Sequence, residues 1–276
     1  MTIAEAIRAA AGHLAGISDT ARLDAELLMA HALGVSRSTM LITHMEAEVP
    51  PAFAGFVERR AQHEPVAYIV GTQEFFGLEL EVGPGVLIPR SDSETLIEVA
   101  LEVFVERADP DRIIDLGTGS GALLLAAMSV FPQAEGCAID ASSKAAAFFA
   151  RNASLHDPDR RTSFALASWK EPGWSDGLGS FDLVLCNPPY VEADAKLDPD
   201  VRVYEPADAL FAGNEGLDDY RILIPQLRDI MNEGGLAILE IGSTQADAVT
   251  QLARSAGFES RVRKDLANRP RCVVLW

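Results

Sequence analysis

Ile113-Ile114-Asp115-Leu116-Gly117-Thr118-Gly119-Ser120-Gly121 decides how this chain of 276 residues folds. An apolar run closes on an aspartate, alternate glycines follow, and a second apolar stretch runs from Ala122 to Met128. The physical reading is a buried strand, a tight turn and a helix, because glycine lets the backbone turn sharply and lets a ligand approach it closely. Asp115 narrows the ligand. A carboxylate at a strand's carboxyl end opposes a pyrophosphate and favours the ammonium of an amino-acid moiety.

Outward from that loop the pattern repeats. Strands are predicted at Gly136 to Ile139, Thr162 to Leu166, Phe181 to Cys186, Leu236 to Ile241, Ser260 to Val262 and Cys272 to Leu275. Helices are predicted at Ser142 to Asn152, about Leu217 to Met231, and about Gln245 to Ala256. Alternation of this kind makes the expected fold class α/β, a mostly parallel seven-stranded sheet with helices on both faces. The second strand ends at Asp140, placed to accept hydrogen bonds from both hydroxyls of a ribose. Either aspartate alone could cap its own turn. One carboxylate near a cation and one on a ribose together point to S-adenosylmethionine rather than a nicotinamide dinucleotide.

A second stretch, Asn187-Pro188-Pro189-Tyr190, follows the apolar run Phe181 to Cys186. Neither proline supplies a ladder N–H, so the strand stops there and Asn187 projects into a crevice. Its amide oxygen can accept one proton of an NH2 group and the Pro188 carbonyl the other. Tyr190 offers a flat face to a planar amide or nucleobase. The bland alternative for these residues is an Asn-Pro turn at a strand end.

The N-terminal part is helical. Thr2 with Glu5 forms a capping box before an apolar face of Ile3, Ala6, Ile7, Ala10 and Leu14. Ser18 or Asp19 is expected to cap a helix bearing Leu23, Leu27, Leu28 and Leu33 that stops at Gly34; Ser36 starts a short one, and another runs from about Phe53 to His63. Residues 1–70 are therefore read as a small helical domain that holds a macromolecular partner, with a structural cap as the alternative. Residues 71–90 are read as a β-hairpin linker turning at Gly83-Pro84-Gly85, with Tyr68 to Gly71 also extended. Ser91 with Glu94 is read as a capping box opening the domain of residues 91–276.

Composition excludes several classes. A net charge of −18 opposes binding of free polyanions, and basic tracts such as Arg261-Val262-Arg263-Lys264 are short. Cys137, Cys186 and Cys272 lie far apart in apolar runs and are read as small buried hydrophobes; the histidines show no metal-ligand spacing. No apolar run approaches 18 residues, and the N-terminus lacks a signal peptide's basic and apolar blocks. The expectation is a cytoplasmic, monomeric protein with no metal, no membrane association and no stable nucleic-acid complex.

These motifs, with Pro65-Val66-Ala67-Tyr68-Ile69, Glu74-Phe75-Phe76-Gly77, Ile88-Pro89-Arg90, Tyr204-Glu205-Pro206, Gly216-Leu217 and Glu240-Ile241-Gly242, resemble a known family over nearly the whole chain. The sequence is similar to class I S-adenosylmethionine-dependent methyltransferases that modify planar NH2 nitrogens. It is more closely similar to the protein-glutamine N5-methyltransferases of bacterial class 1 peptide chain release factors. The resemblance implies methylation of the Gly-Gly-Gln glutamine, with Asn187, Pro188, Pro189 and Tyr190 at the substrate amide. It implies that Asp115, Gly117, Thr118, Gly119, Gly121, Asp140, Ser168, Trp169 and Asn187 surround the cofactor.

Phe75, Ile88, Pro89 and Arg90 are placed on the substrate side and at the domain junction by the same resemblance, and Glu205 is the sequence's nearest candidate for an acid, base or positioning role or a substrate contact. From the residues alone, Phe75 reads as hairpin core before substrate wall, Glu205 as loop structure or substrate contact before acid or base, and Arg90 equally as a carboxylate or carbonyl binder and as a domain-linking ion pair. Two positions depart from the family. Ser168 precedes Trp169 where relatives often carry an acid, which leaves the adenine amine to the serine, to backbone or to water. Asn268 stands where glycine is common, which asparagine tolerates in a left-handed conformation. The competing functions are methylation of an exocyclic nucleobase amine flipped against Tyr190, methylation of glutamine on another protein, and a binding module with a vestigial methyltransferase fold.

Overall fold

The computed structural model describes residues 1–265 and 267–276. The chain forms two compact units, Met1–Thr72 with Leu197–Tyr204, and Gln73–Lys196 with Glu205–Trp276.

In the first unit, α1 (Ile3–Leu14), α2 (Ala21–Leu33), α3 (Arg37–Thr43), α4 (Ala52–Ala61) and α5 (Val66–Val70) pack around Ile7, Leu28, Met29, Met40, Phe53 and Ile69. The Thr2 and Glu5 capping box forms, Gly34 ends α2 in a left-handed conformation, and Ser36 caps α3. Neither Ser18 nor Asp19 caps α2. The Ser18 hydroxyl accepts from the Thr20 N–H instead, and the helix starts at Ala21 with no side-chain cap.

Leu23 is exposed, because the inward face of α2 carries two acids as well as Ala25, Leu28 and Met29. Asp24 Oδ2 accepts from Arg60 Nε at 2.8 Å and its Oδ1 from the Thr20 hydroxyl. Glu26 accepts from Arg22 and Arg37 at 2.9 and 2.8 Å. Burial pushes the Glu26 carboxyl up, but the two guanidinium groups outweigh it and hold it below its ordinary range. The segment predicted extended at Tyr68 to Gly71 is helical: Pro65 starts a turn that Gly71 closes with φ of 87°. Alternation does not decide so short a segment, and here a single helical turn buries Tyr68 and Ile69.

The second unit begins at Gln73, within the hairpin of β1 (Thr72–Phe75) and β2 (Leu78–Glu81). It turns through Phe76-Gly77, both at positive φ, and Val86 to Ile88 is not a strand, so the turn is not at Gly83 to Gly85. Glu94 Oε1 accepts from the Phe76 N–H at 3.1 Å. The predicted Ser91 and Glu94 capping box is therefore absent; Ser91–Ser93 is a 3-10 turn leading into α6 (Glu94–Phe104).

Next come β3 (Arg112–Leu116), α7 (Ala122–Val130), β4 (Glu135–Asp140), α8 (Ser143–His156), β5 (Thr162–Leu166) and β6 (Phe181–Cys186). After α9 (Pro199–Tyr204), which belongs to the first unit, follow α10 (Asp218–Leu223), α11 (Leu227–Ile230), β7 (Met231–Glu240), α12 (Ala246–Ser255), β8 (Ser260–Lys264) and β9 (Pro270–Leu275). The helix predicted from Leu217 to Met231 is interrupted by a 3-10 turn at Ile224–Gln226, where Pro225 lacks the N–H that would continue it.

Strand order is β5-β4-β3-β6-β7-β9-β8 in a seven-stranded sheet, parallel except for β9, which runs antiparallel to β7 and β8. Side chains alternate across each strand. Ile113, Leu183 and Ile238 face a core with Leu96 of α6 and Leu124 of α7. Ile114, Val184 and Leu239 face another with Leu223 of α10 and Val249 of α12. From β3 the chain proceeds outward through β4 and β5, then returns to β6 on the opposite side. That reversal opens a crevice at the carboxyl ends of β3 and β6, where Leu116 pairs with Cys186. The residues that follow those strands, the glycine loop and Asn187, therefore emerge side by side.

Candidate functional site

Two cavities meet at this crevice, of about 270 and 60 Å3. Leu87, Gly117, Gly119 and Asn187 line both. The larger adds Asp140, Ser142, Ala145, Ser168, Trp169 and Asp219 among its walls, and the smaller adds Phe75, Arg90, Ser93, Asp115 and Thr118.

The glycine loop shapes the floor. Gly117 and Gly119 have φ of 76° and 55°, in the left-handed region that a side chain disfavours. A Cβ on Gly117 would also press on Trp169 at 3.1 Å. Asp115, 1% exposed, accepts from the Thr118 hydroxyl at 2.7 Å through Oδ2, while Oδ1 has no hydrogen-bond partner among the described residues. Burial pushes its carboxyl up to about 7. A buried carboxylate oxygen without a donor is costly, and a cation or ammonium group relieves it.

Asp140 holds the loop together, accepting from Gly119 N–H at 2.9 Å and Ser142 N–H at 2.8 Å. Burial raises its carboxyl above the ordinary value against the pull of those N–H groups, and Asp208 adds to the rise. Each oxygen keeps acceptor capacity toward the larger cavity. On the opposite wall, Trp169 donates its indole N–H to Asp219 at 2.9 Å, and Lys170 reaches the same buried carboxylate at 2.9 Å. Ser168 accepts from the Lys170 N–H and also lines that cavity.

Asn187 is held by its NH2 end. Nδ2 donates to the Ser93 hydroxyl at 3.3 Å, and Ser93 donates to Glu240 Oε2 at 2.5 Å. The other Glu240 oxygen accepts from the Tyr190 hydroxyl at 3.1 Å. Burial raises the Glu240 carboxyl, while Ser93, Tyr190 and Arg271 oppose the rise. Gln245 closes the loop behind, donating to the Tyr190 and Gly216 carbonyls at 3.0 and 3.1 Å. Gly216 must be glycine here, since a Cβ would stand 2.2 Å from the Tyr190 carbonyl oxygen.

The crevice thus gathers Asp115, Gly117, Thr118, Gly119, Asp140, Ser168, Trp169, Asn187, Pro189, Phe75 and Arg90 on the cavity walls. It does not gather the rest of the candidate residues there. Gly121 packs on Phe149, Pro188 is buried, and Tyr190 spends its hydroxyl on Glu240. Glu205 is buried as a loop anchor, accepting from the Ile88 N–H at 3.0 Å and pairing with Arg90. Phe75 is 1% exposed and belongs to the core as well as the wall. Sequence reasoning missed Ser93, Asp219 and Gln245, and treated Glu240 only as part of a motif. Each becomes visible through a partner distant in sequence, so no local spacing points to it.

The donor set fits S-adenosylmethionine. The partnerless Asp115 oxygen suits an ammonium group, Asp140 suits vicinal hydroxyls, and the open glycine face admits a ligand against the backbone. Comparison with known proteins agrees with that reading. Residues 5–71 match the family model described as the PrmC N-terminal domain, and residues 92–204 match the methyltransferase small domain. The chain is 39% identical to the release factor glutamine methyltransferase of Caulobacter vibrioides, over 99% of this chain and 96% of that one. It is 38% identical to the protein of the same name from Moorella thermoacetica, over 100% and 99% of the two chains. A methyltransferase from Pyrococcus furiosus superposes with a TM-score of 0.52 at 18% identity, covering 72% of this chain and 89% of that one, a likeness of fold.

Proposed function

The chain belongs to the release factor glutamine methyltransferase family, and on that premise we propose that it methylates the side-chain amide nitrogen, N5, of the glutamine in the Gly-Gly-Gln motif of class 1 peptide chain release factors. The observation that carries this reading is Asn187. Its NH2 is tied to Ser93 and its carboxamide lies where the two cavities join, so the oxygen is left as an acceptor for an incoming NH2.

Bound S-adenosylmethionine supplies a methyl group already activated on a sulfonium. Residues of both cavities would hold it: Asp115 of the smaller toward the ammonium, and Asp140 toward the ribose with Ser168 and Trp169 along the wall of the larger. What remains for the chain is aim. A carboxamide nitrogen is a poor nucleophile because its lone pair is delocalised into the carbonyl. Asn187 Oδ1 and the Pro188 carbonyl fix the two N–H bonds, which leaves the lone pair facing the donor site. As positive charge grows on that nitrogen, the same acceptors bind it more strongly than the resting amide. No strong base is required, because the product nitrogen loses its proton readily after transfer. Phe75, Arg90 and Pro89 border the smaller cavity, on the acceptor side.

Methyl transfer from labelled S-adenosylmethionine to a purified class 1 release factor, beside a factor whose Gly-Gly-Gln glutamine is replaced, tests the reading. Label is expected on the intact factor alone. Asn187→Ala is expected to lower kcat by about 100-fold or more while calorimetry shows near-normal S-adenosylmethionine affinity. Asp140→Ala is expected to do the opposite, weakening that affinity. Label on nucleic acid, or wild-type turnover by Asn187→Ala, would overturn the assignment.

A further inference from the structure

We infer that Ser93 and Glu240 form a positioning relay that sets which end of the Asn187 carboxamide faces the cavity, and so gives the site its acceptor polarity. This rests on the function proposed above. Ser93 sits at the N-cap position of α6, where a serine hydroxyl ordinarily accepts a backbone N–H of the first turn. Here it makes no cap bond. It bridges Asn187 and Glu240 instead.

The bridge has a direction. A serine hydroxyl has one proton, and Ser93 gives it to Glu240 Oε2. Toward Asn187 it can then only accept, which requires the NH2 of the carboxamide on that side and leaves Oδ1 for the cavity. Glu240 reaches this position because β6 and β7 pair in parallel, Cys186 with Leu239, so residues 187 and 240 stand side by side at the strands' carboxyl ends. Its carboxylate is 1% exposed and takes a second proton donor, the Tyr190 hydroxyl, while its backbone carbonyl accepts from the Tyr220 hydroxyl at 2.7 Å.

Losing the carboxylate reverses the bridge. With a proton on Oε2, Glu240 would donate to Ser93, Ser93 would donate to Asn187 Oδ1, and the carboxamide would turn its NH2 toward the cavity. That end repels an incoming NH2. The groups facing Glu240 are Arg271 and Cys272 of β9, Asp92 beside Ser93, Cys186 of β6, Tyr190, and Tyr220 of α10. Arg271, paired with Asp92 at 2.7 Å, is the cation among them that favours the ionised form. Burial works against it and raises the carboxyl. Methyl transfer should therefore fall as pH drops through the raised Glu240 titration.

The test uses Ser93→Ala and Ser93→Thr in the full chain. Ser93→Ala is expected to lower kcat about 10- to 100-fold, with S-adenosylmethionine affinity within about twofold of wild type by calorimetry. Ser93→Thr, which keeps the hydroxyl, is expected to restore most of the rate. Ser93→Ala is also expected to lose the acidic fall of the pH profile and to add nothing in an Asn187→Ala background. Independently of any acceptor substrate, the Asn187 side-chain NH2 resonances, assigned by their loss in Asn187→Ala, are expected to shift in Ser93→Ala and to return in Ser93→Thr. Wild-type kcat in Ser93→Ala, or unmoved NH2 resonances, would overturn the relay. If the wild type failed to methylate a release factor, the functional reading would fall and the resonances alone would still decide the relay.

Discussion

Both units bury carboxylates, and although the second pairs Asp219 with Lys170 and Glu205 with Arg90, two of its carboxylates are treated in the opposite way to those of the first. In the helical unit, Asp24 and Glu26 are each met by arginine, Asp24 by Arg60 and Glu26 by Arg22 and Arg37. At the carboxyl ends of the sheet, Asp115 and Glu240 are each 1% exposed, and among the described residues neither has an arginine or lysine in hydrogen-bond contact; hydroxyls serve them instead, and one Asp115 oxygen is served by nothing. A buried charge that is paired within the protein reports on architecture. One left short of partners marks a place where a ligand or reacting group completes the set.

The contrast has measurable edges. The largest effect belongs to Arg60→Met, which strands Asp24 in the helical core. It is expected to cost about 3–5 kcal/mol in denaturant unfolding, whereas Arg60→Met with Asp24→Leu should recover most of that. Equal destabilisation by the single and double variants would mean that the pair was not the source.

Asp115 should behave in the reverse sense. Its carboxyl is raised to about 7 in the folded chain and lies near 4 unfolded, so the fold binds a proton that the unfolded chain does not between those values. Stability from this group is present below about 4 and lost as pH rises through about 7. Asp115→Asn should therefore stabilise the ligand-free protein at pH 8, on the order of 2 kcal/mol, and change little at pH 4. Destabilisation at pH 8 would show that the carboxylate is better accommodated than its missing partner implies.

The smallest effect is at Glu26, whose folded carboxyl is held below its ordinary range. The sign is opposite to that of Asp115: stability is present above the unfolded value near 4 and lost as pH falls through the lower folded one. Arg37→Ala should flatten that acidic loss by about 1 kcal/mol or less, because Arg37 is partly exposed and screened and Arg22 remains. Acid titration of unfolding, variant against wild type, reads it directly.

How much of this was legible in the residues follows the same division. The sheet could be read because each strand is an apolar run bounded by turn residues, and Ile113 to Gly121 contains the strand, the turn and the helix start in one stretch. Asp140 and Asn187 could be read because each is the polar residue at the end of such a run. The hairpin turn could not. Gly83-Pro84-Gly85 is the stronger local turn signal, but Glu94 reaches back to the Phe76 N–H and Glu74 accepts from the Gly77 N–H, which fixes the turn at Phe76-Gly77.

The extended reading of Tyr68 to Gly71 failed for a similar reason, since four residues of alternation cannot outweigh the helical turn that buries Tyr68 and Ile69. Leu23 looked like core by helical spacing, yet Asp24 faced inward because a partner stands 36 residues away in sequence at Arg60. At the site, Ser93 read as an ordinary residue before a helix, and Glu240 as part of a short motif. Only the parallel pairing of β6 with β7 and the turn before α6 bring both to Asn187. Arg90 and Glu205, each open from the residues alone between substrate contact and a structural role, have each other as partner.

The strand β8 shows what becomes of a charged tract once its place in the sheet is known. Arg261, Arg263 and Lys264 lie on the outermost strand, whose one neighbour is β9, and Arg263 pairs with Glu102. An outermost strand offers free backbone donors and acceptors to any passing chain, and bulky cations discourage such docking. Cations at such a margin disfavour pairing with a second strand. Replacing them with valine or threonine is expected to raise self-association, read by light scattering, while the crevice where Asn187 lies is untouched.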